Sequence, residues 1–300
     1  MPTAGRGRSS NRFSHPSVQA LLAAHPEESD PKRIIRRLAR EKVAYAKALG
    51  WSGPPFNPRI LTSIFGIRCK PVGHEILSEG RLIRYPDGKP WIEFRNDSLL
   101  GRQHFTILHE FAHTFFPDFS DCLPLNDVPV DIRAAPEKQF ENLCDIAAAE
   151  MLMPAEDFSA DIARGIRLSC EMLLKLATKY EASIDAVIHR TIELTDHISC
   201  GAIFLTDQRG EYRSSGPLWT KYCCRSPMFK GFIQPGVVPP RTSVAVRCLE
   251  GSDQTTEAVK ETWWLNGSPR TWLVQAVKLP RIKENREYSK VAVLVLPSGY

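Results

Sequence analysis

The sequence lacks the features that mark several large protein classes. None of its apolar runs approaches the roughly 20 residues a helix needs to span a bilayer. No apolar stretch of signal-peptide length follows the opening MPTAGRGRSSNRF. The expectation is a cytoplasmic protein with no membrane partner. Its eight cysteines, at 69, 122, 144, 170, 200, 223, 224 and 248, contain no C-x-x-C pair. That argues against a cysteine zinc finger, and their scatter argues against a disulfide scaffold, so reduced thiols are expected. Neither a P-loop nor a Rossmann glycine pattern occurs, and no internal repeat is visible. What remains is an ordinary globular balance of 43% hydrophobic and 24% charged residues, which excludes collagen-like, coiled-coil and wholly disordered chains. The 300 residues suffice for about two domains.

The net charge of +5 is local. Residues 1–50 hold ten Lys or Arg and four Asp or Glu, whereas the other 250 hold 29 basic and 30 acidic residues. A solvated basic helix accounts for this, with contact to nucleic acid or an acidic partner as the alternative.

Four segments follow from the pattern. Residues 1–29 read as a flexible N-terminal segment with a short helix over Val18–Ala24. Residues 30–158 form the first folded domain. It opens on a helix capped by Asp30 and Pro31 that stops at Gly50, with Ile34, Ile35, Leu38, Val43, Tyr45 and Leu49 as its apolar positions. A short helix over 58–65 and a hairpin follow, its strands at 81–85 and 91–96 joined by PDGKP. Helices are expected over 101–115 and 136–153. Residues 159–197 read as a helical linker with two helices, at 170–180 and 183–195. Residues 198–300 turn strand-rich, with strands expected at 201–206, 242–249, 271–279 and 290–297. The fold class is therefore α+β.

The sharpest chemical signal is H-E-F-A-H over residues 109–113. In a helix, His109 and His113 lie four apart on one face, so both imidazoles can hold a zinc ion. Glu110 reaches the same ion's surroundings from the adjacent face and can take a proton from an attacking water, then return it. This is the zinc-peptidase pattern H-E-x-x-H. Catalytic zinc usually has three protein ligands. Glu141 on the second helix is preferred for the third place, with Glu137 and Glu150 as alternatives. Asp145, one turn beyond Glu141, can accept a hydrogen bond from the far nitrogen of a ligand histidine. Zinc suits two imidazoles and a carboxylate, and manganese is the expected substitute. Cys144, beside these residues, is expected to pack against the first helix, with a metal-ligating or redox thiol as the alternative. The oxyanion donor is not singled out; His74, His104, Tyr85 and Tyr180 are candidates. One strand of the hairpin, 91–96 in preference, is expected to border the cleft as an edge for an extended peptide.

These motifs resemble those of the ImmA/IrrE-type metallopeptidases, whose pattern is R-Q-R-F-T-x-x-H-E-x-x-H and then E-x-x-A-[ND]-x-F-A-x-x-L-L-M-P. The E-x-x-x-D part is similar to that of thermolysin. Arg102, Gln103, Phe105 and Thr106 precede the histidines here, and Met151, Leu152, Met153 and Pro154 close the second motif. The departures are His104 for arginine, Cys144 for alanine and Ala147 for phenylalanine. The resemblance implies a zincin-like domain with ligands His109, His113 and Glu141 and a catalytic Glu110. It further implies a soluble zinc endopeptidase that cleaves a helix-turn-helix repressor in a stress or mobile-element response.

The resemblance also implies a helix-turn-helix-like pair at 170–195 and a GAF-like sensor module after 198. In the helix pair, Leu173, Leu176, Ala177, Ile184 and Val187 are core positions. A reading helix would present Asp185, Arg190 and Glu193, a mixed face that the phosphate backbone does not favour, so DNA contact is only weakly supported. Trp219, Trp263, Trp264 and Trp272 line a pocket or interface, or pack the core. The C-terminal domain either regulates the peptidase or covers an apolar face of it. The alternatives to an enzyme are a non-catalytic, metal-containing sensor and a DNA-binding regulator.

Overall fold

A computed structural model describes residues 13–73, 76, 78–85, 88–122, 135–164, 167–209, 212–213, 218–231, 233–265, 268–279 and 290–299. The chain divides into two compact units, Met1–Pro154 and Ala155–Tyr300. It is of the mixed α+β class, with helices and sheets in both units. No helix among the described residues is long and apolar enough to cross a membrane.

The first unit opens with α1 (Pro16–Ala24), α2 (Pro31–Ala48) and α3 (Pro58–Ile64). Each begins on a proline, whose fixed φ and missing N–H suit a first helical turn. Asp30 caps α2 by accepting from the Lys32 N–H at 3.0 Å, and Asn57 caps α3 from the Arg59 N–H at 2.9 Å. Gly50 and Gly66 follow α2 and α3 with φ of 90° and 76°, the left-handed conformation that ends a helix with little penalty only at glycine. Along α2, Ile34, Ile35, Ala39, Val43 and Ala46 are buried. Tyr45 and Leu49 extend that apolar stripe in sequence but are 55% and 59% exposed. Three strands follow, β1 (Arg68–Val72), β2 (Gly80–Arg84) and β3 (Pro90–Arg95). Their order is β1-β3-β2, with β1 parallel and β2 antiparallel to β3. β3 sends Ile92 and Phe94 into the core. The unit closes with α4 (Leu100–Ala112), a 3-10 turn over His113–Phe115, α5 (Phe119–Cys122) and α6 (Ala135–Leu152).

This topology corrects the hairpin expectation. Strand 91–96 is β3, and it lies in the centre of the sheet. The edge strand of the hairpin is β2. Part of the connecting turn, residues 86–87, lies outside the described residues.

The second unit holds α7 (Ala155–Arg164), α8 (Cys170–Lys179), α9 (Ile184–Leu194), β4 (Gly201–Thr206), β5 (Gln208–Arg209), β6 (Tyr212–Arg213), β7 (Trp219–Arg225), α10 (Val244–Glu250), β8 (Val259–Leu265), β9 (Ser268–Lys278) and β10 (Lys290–Pro297). Five strands form one sheet in the order β7-β4-β10-β9-β8, antiparallel throughout. One face packs Ile203, Leu205, Val274, Ala276, Val291 and Val293 against Val244, Ala245 and Cys248 of α10. The other face carries α8 and α9. There the His189 ring stacks on Phe204 at 5.1 Å, and Gln275 accepts from the Cys170 N–H at 3.0 Å. Because both faces are covered, β4 and β10 are buried along nearly their whole length, which explains their uninterrupted apolar sequences.

No strand forms over 242–249 as expected; most of that stretch lies in α10 instead. Ser243 accepts from the Val246 N–H, and Val244, Ala245 and Cys248 bury one helical face. A short apolar run does not distinguish the two conformations by itself. Trp263 and Trp272 belong to the core. In α9, Arg190 is 2% exposed and pairs with Glu193 at 3.0 Å, while Asp185 accepts from Lys290 at 2.6 Å. Arg190 therefore does not present the polar face expected of a reading helix.

Candidate metal centre

The centre grows from the packing of α4 against α6. In α4, Ile107, Leu108, Phe111 and Ala112 are buried and fix the helix rotation. His109, Glu110 and His113 then share one exposed-edge face, and a donor atom from each lies within 4.8 Å of the others. In α6, Leu143, Ala147, Ala148, Met151 and Leu152 are buried. The two alanines keep the local bulk small, which allows a close helix approach. This rotation brings Glu141 and Asp145 onto the imidazole of His109.

His109 is held at both ring nitrogens. Its Nε2 lies 2.8 Å from Glu141 Oε2, and its Nδ1 lies 2.9 Å from Asp145 Oδ1. Burial opposes a charge on this ring, yet the hydrogen bonds to Asp145 and Glu141 prevail and push its pKa up to about 10. His113 differs. Burial and the nearby charge of His109 lower it to about 4, so it stays neutral. Its Nε2 faces Glu110 Oε2 at 4.0 Å, and its Nδ1 faces Cys144 Sγ at 3.6 Å. Burial, with the charge of Glu141 in support, raises Glu110 to about 7 against the pull of His109 and a backbone hydrogen bond from Leu82. Burial also works against ionisation of Glu141, but the hydrogen bond from His109 wins and holds it below the ordinary carboxylate range. Burial drives the Cys144 thiol well above its usual value.

The strand β2 touches this face. A Cβ on Gly80 would stand 2.4 Å from Thr106 Cγ2 and 3.2 Å from Glu110 Cγ. Glycine is thus required by close approach, and it lets the edge strand lie directly over the glutamate.

The other expected residues are distributed elsewhere. Glu150 is 1% exposed and accepts from Arg40 Nε at 3.1 Å. Glu137 pairs with His15 at 3.4 Å. Tyr85 stacks on Trp91 and accepts from Lys70, on the sheet rather than at the imidazoles. Tyr180 donates to Asp161 at 2.8 Å within the second unit. His104 is half-buried on α4, and His74 lies outside the described residues. Sequence reasoning missed His15. It accepts from the Ser17 N–H and stacks on Phe140 at 4.3 Å, while Phe140 in turn lies 5.1 Å from the His113 ring. No local motif could have signalled it, because Phe140 is distant in sequence.

The donor set fits a divalent ion. Two ligands held at 2.0–2.1 Å in a tetrahedral shell stand about 3.3 Å apart, and His109 Nε2 and Glu141 Oε2 are 2.8 Å apart. The donor atoms that gather within 4.8 Å are those of His109, Glu110 and His113, and Glu141 reaches this cluster through His109 Nε2. The proton on His109 must leave as the ion enters.

Two imidazoles gathered with one glutamate, and a second carboxylate on one of the rings, are the residue types that metal-dependent peptidases use. Residues 77–191 match the sequence profile of a peptidase family described as the IrrE N-terminal-like domain. The likeness to the ImmA/IrrE family extends over those residues, less than half of the chain. No curated protein matches the sequence. Among solved structures, a Mycobacterium tuberculosis transcriptional regulator shares the fold with a TM-score of 0.56 and 14% identity, over 93% of this chain and 79% of that one.

Proposed function

We propose that this protein is a zinc-dependent endopeptidase that cleaves a helix-turn-helix repressor, with His109, His113 and Glu141 as the metal ligands, Glu110 as the proton carrier and Asp145 as the residue that orients His109. The observation that carries the reading is the seat of Glu110. Its side chain is only 12% exposed, it faces His113 Nε2 at 4.0 Å, and it gathers with both histidines within 4.8 Å; burial raises its pKa to about 7. A base poised near working pH transfers protons most efficiently, and a nearby cation favours its carboxylate form.

Zinc supplies Lewis acidity at the scissile carbonyl and makes the attacking water more acidic. Glu110 accepts a proton from that water as its oxygen bonds to the carbonyl carbon. It then delivers the proton to the leaving nitrogen as the C–N bond breaks. Asp145 fixes the His109 tautomer with Nε2 toward the ion. The edge strand β2 offers the backbone along which an extended peptide can lie, beside Glu110.

A zincin-like fold for the first unit and a GAF-like sensor role for the second unit belong to the same proposal. The second is supported by a separate core around a five-stranded antiparallel sheet and by the likeness to a transcriptional regulator. DNA contact through α8 and α9 is the less favoured reading, because Arg190 is buried. A cytoplasmic location suits a chain whose described cysteines are all free thiols. The test is cleavage of a candidate repressor by purified, zinc-loaded protein. Wild type should cleave it and Glu110→Gln should not, while keeping fold and metal. Equal cleavage by the two proteins sinks the role given to Glu110.

A further inference from the structure

The two imidazoles of the centre are each met at Nδ1 by a side chain of α6, and the two side chains are consecutive in sequence. Asp145 Oδ1 meets His109 Nδ1 at 2.9 Å, and Cys144 Sγ meets His113 Nδ1 at 3.6 Å. We propose that Cys144 is a positioning residue for His113, using its thiol to hold the ring so that Nε2 faces the metal seat. The inference rests on the reading of His113 as a ligand and adds a role that the motif does not contain, since the family pattern has alanine at this position.

The geometry excludes the other uses of the thiol. Its contact is with Nδ1, on the side of the ring away from Nε2 and Glu110, so it is not placed as a further ligand. Cys144 is 0% exposed, which closes it to a substrate carbonyl or an oxidant in solution. What it can do is exchange hydrogen-bond roles. A thiol both donates and accepts, whereas an ionised carboxylate only accepts. When Nε2 holds an ion, Nδ1 carries the proton and donates to sulfur. When Nε2 carries the proton, the S–H can donate to Nδ1. The ring orientation is kept in both states.

Charge explains why a neutral group is suitable here. The centre already carries the carboxyl groups of Glu110, Glu141 and Asp145. A further carboxylate at a fully buried position would add a charge with a large desolvation cost. A thiol gives weaker support than Asp145 and adds no charge. The two imidazoles are therefore held unequally, His109 strongly and His113 weakly.

The test uses the full-length protein and three variants. Zinc affinity is measured by competition with a chromophoric chelator, and the His113 tautomer is read by long-range proton–nitrogen NMR in the metal-free sample. Cys144→Ala should still bind one zinc, with affinity reduced roughly 10- to 100-fold, the scale of lost outer-shell support. Its His113 resonances should shift to a different tautomer mixture. Cys144→Ser, which keeps a donor and acceptor on a shorter bond, should recover part of the affinity. Leu143→Ala, a neighbouring buried position on α6, should lower the melting temperature without the affinity loss or the tautomer change. Unchanged affinity and tautomer in Cys144→Ala, with wild type binding one zinc, overturn the positioning role and leave the metal centre standing. Absence of zinc binding by wild type overturns both.

Discussion

Replacing Gly80 with alanine perturbs one atom of contact between β2 and α4. The new Cβ would stand 2.4 Å from Thr106 Cγ2, whereas ordinary contact begins near 3.4 Å. The two elements must therefore separate by about 1 Å or the Thr106 side chain must turn. Turning is restricted, because a β-branched side chain in a helix has few χ1 options. Overpacking of this kind costs about 1–3 kcal/mol, which for a unit of this size corresponds to a melting temperature lowered by about 2–12 °C. The same separation moves the Leu82 backbone away from Glu110, and a displacement of about 1 Å at a reacting group can cost roughly 100-fold in rate. Thermal melting and peptide hydrolysis read the two effects separately. Adding Thr106→Ser removes the offending methyl and should restore most of the melting temperature. Gly80→Ala with wild-type melting and wild-type kinetics refutes the close-approach reasoning.

Two further substitutions have expected outcomes. His113→Ala should lose the stoichiometric zinc that wild type retains after dialysis, as elemental analysis of the folded protein will show; undiminished stoichiometry and affinity remove it from the ligand set. Asp161→Asn should lower stability at pH 7 by about 1–3 kcal/mol, because its buried carboxylate accepts from Lys179, Arg164 and Tyr180 at 2.7–2.8 Å. Burial opposes its ionisation, but those bonds hold its pKa below the ordinary value. Its contribution is then present above the unfolded-state pKa and is lost as pH falls through the lower folded value. Wild type and Asp161→Asn should accordingly differ in melting temperature at pH 7 and converge in strong acid; a constant difference contradicts the assignment.

The parts of the chain that could be read from sequence were those with local signals. The caps at Asp30 and Ser183, the spacing of His109 and His113, and the pairing of Glu141 with Asp145 each depend on residues within a few positions. The edge of the sheet did not. The hairpin strands look equivalent until β1 pairs with β3, and β1 is the polar stretch RCKPV with Pro71 inside it, a composition that hides a strand and suits only an edge. Missing β1 made β3 look like the exposed strand. α10 was hidden by the ambiguity of a short apolar run. The Cys144 contact with His113 and the stacking of His15 on Phe140 are tertiary facts, set by the rotation of α6 and the path of the N-terminal residues.

The doubly covered sheet of the second unit also sets how freely its sequence can drift. In a sheet with one wet face, every second side chain can change with little effect on folding. Along Gly201–Thr206 and Val291–Leu296 no such alternation exists, because successive residues enter different but equally dry layers. Two neighbouring positions therefore answer to different partners, Phe204 to the α9 side and Leu205 to the α10 side. Sequence divergence in these strands is confined to exchanges among apolar side chains of similar volume, while the edge strand β7, with its exposed Lys221, has room to vary.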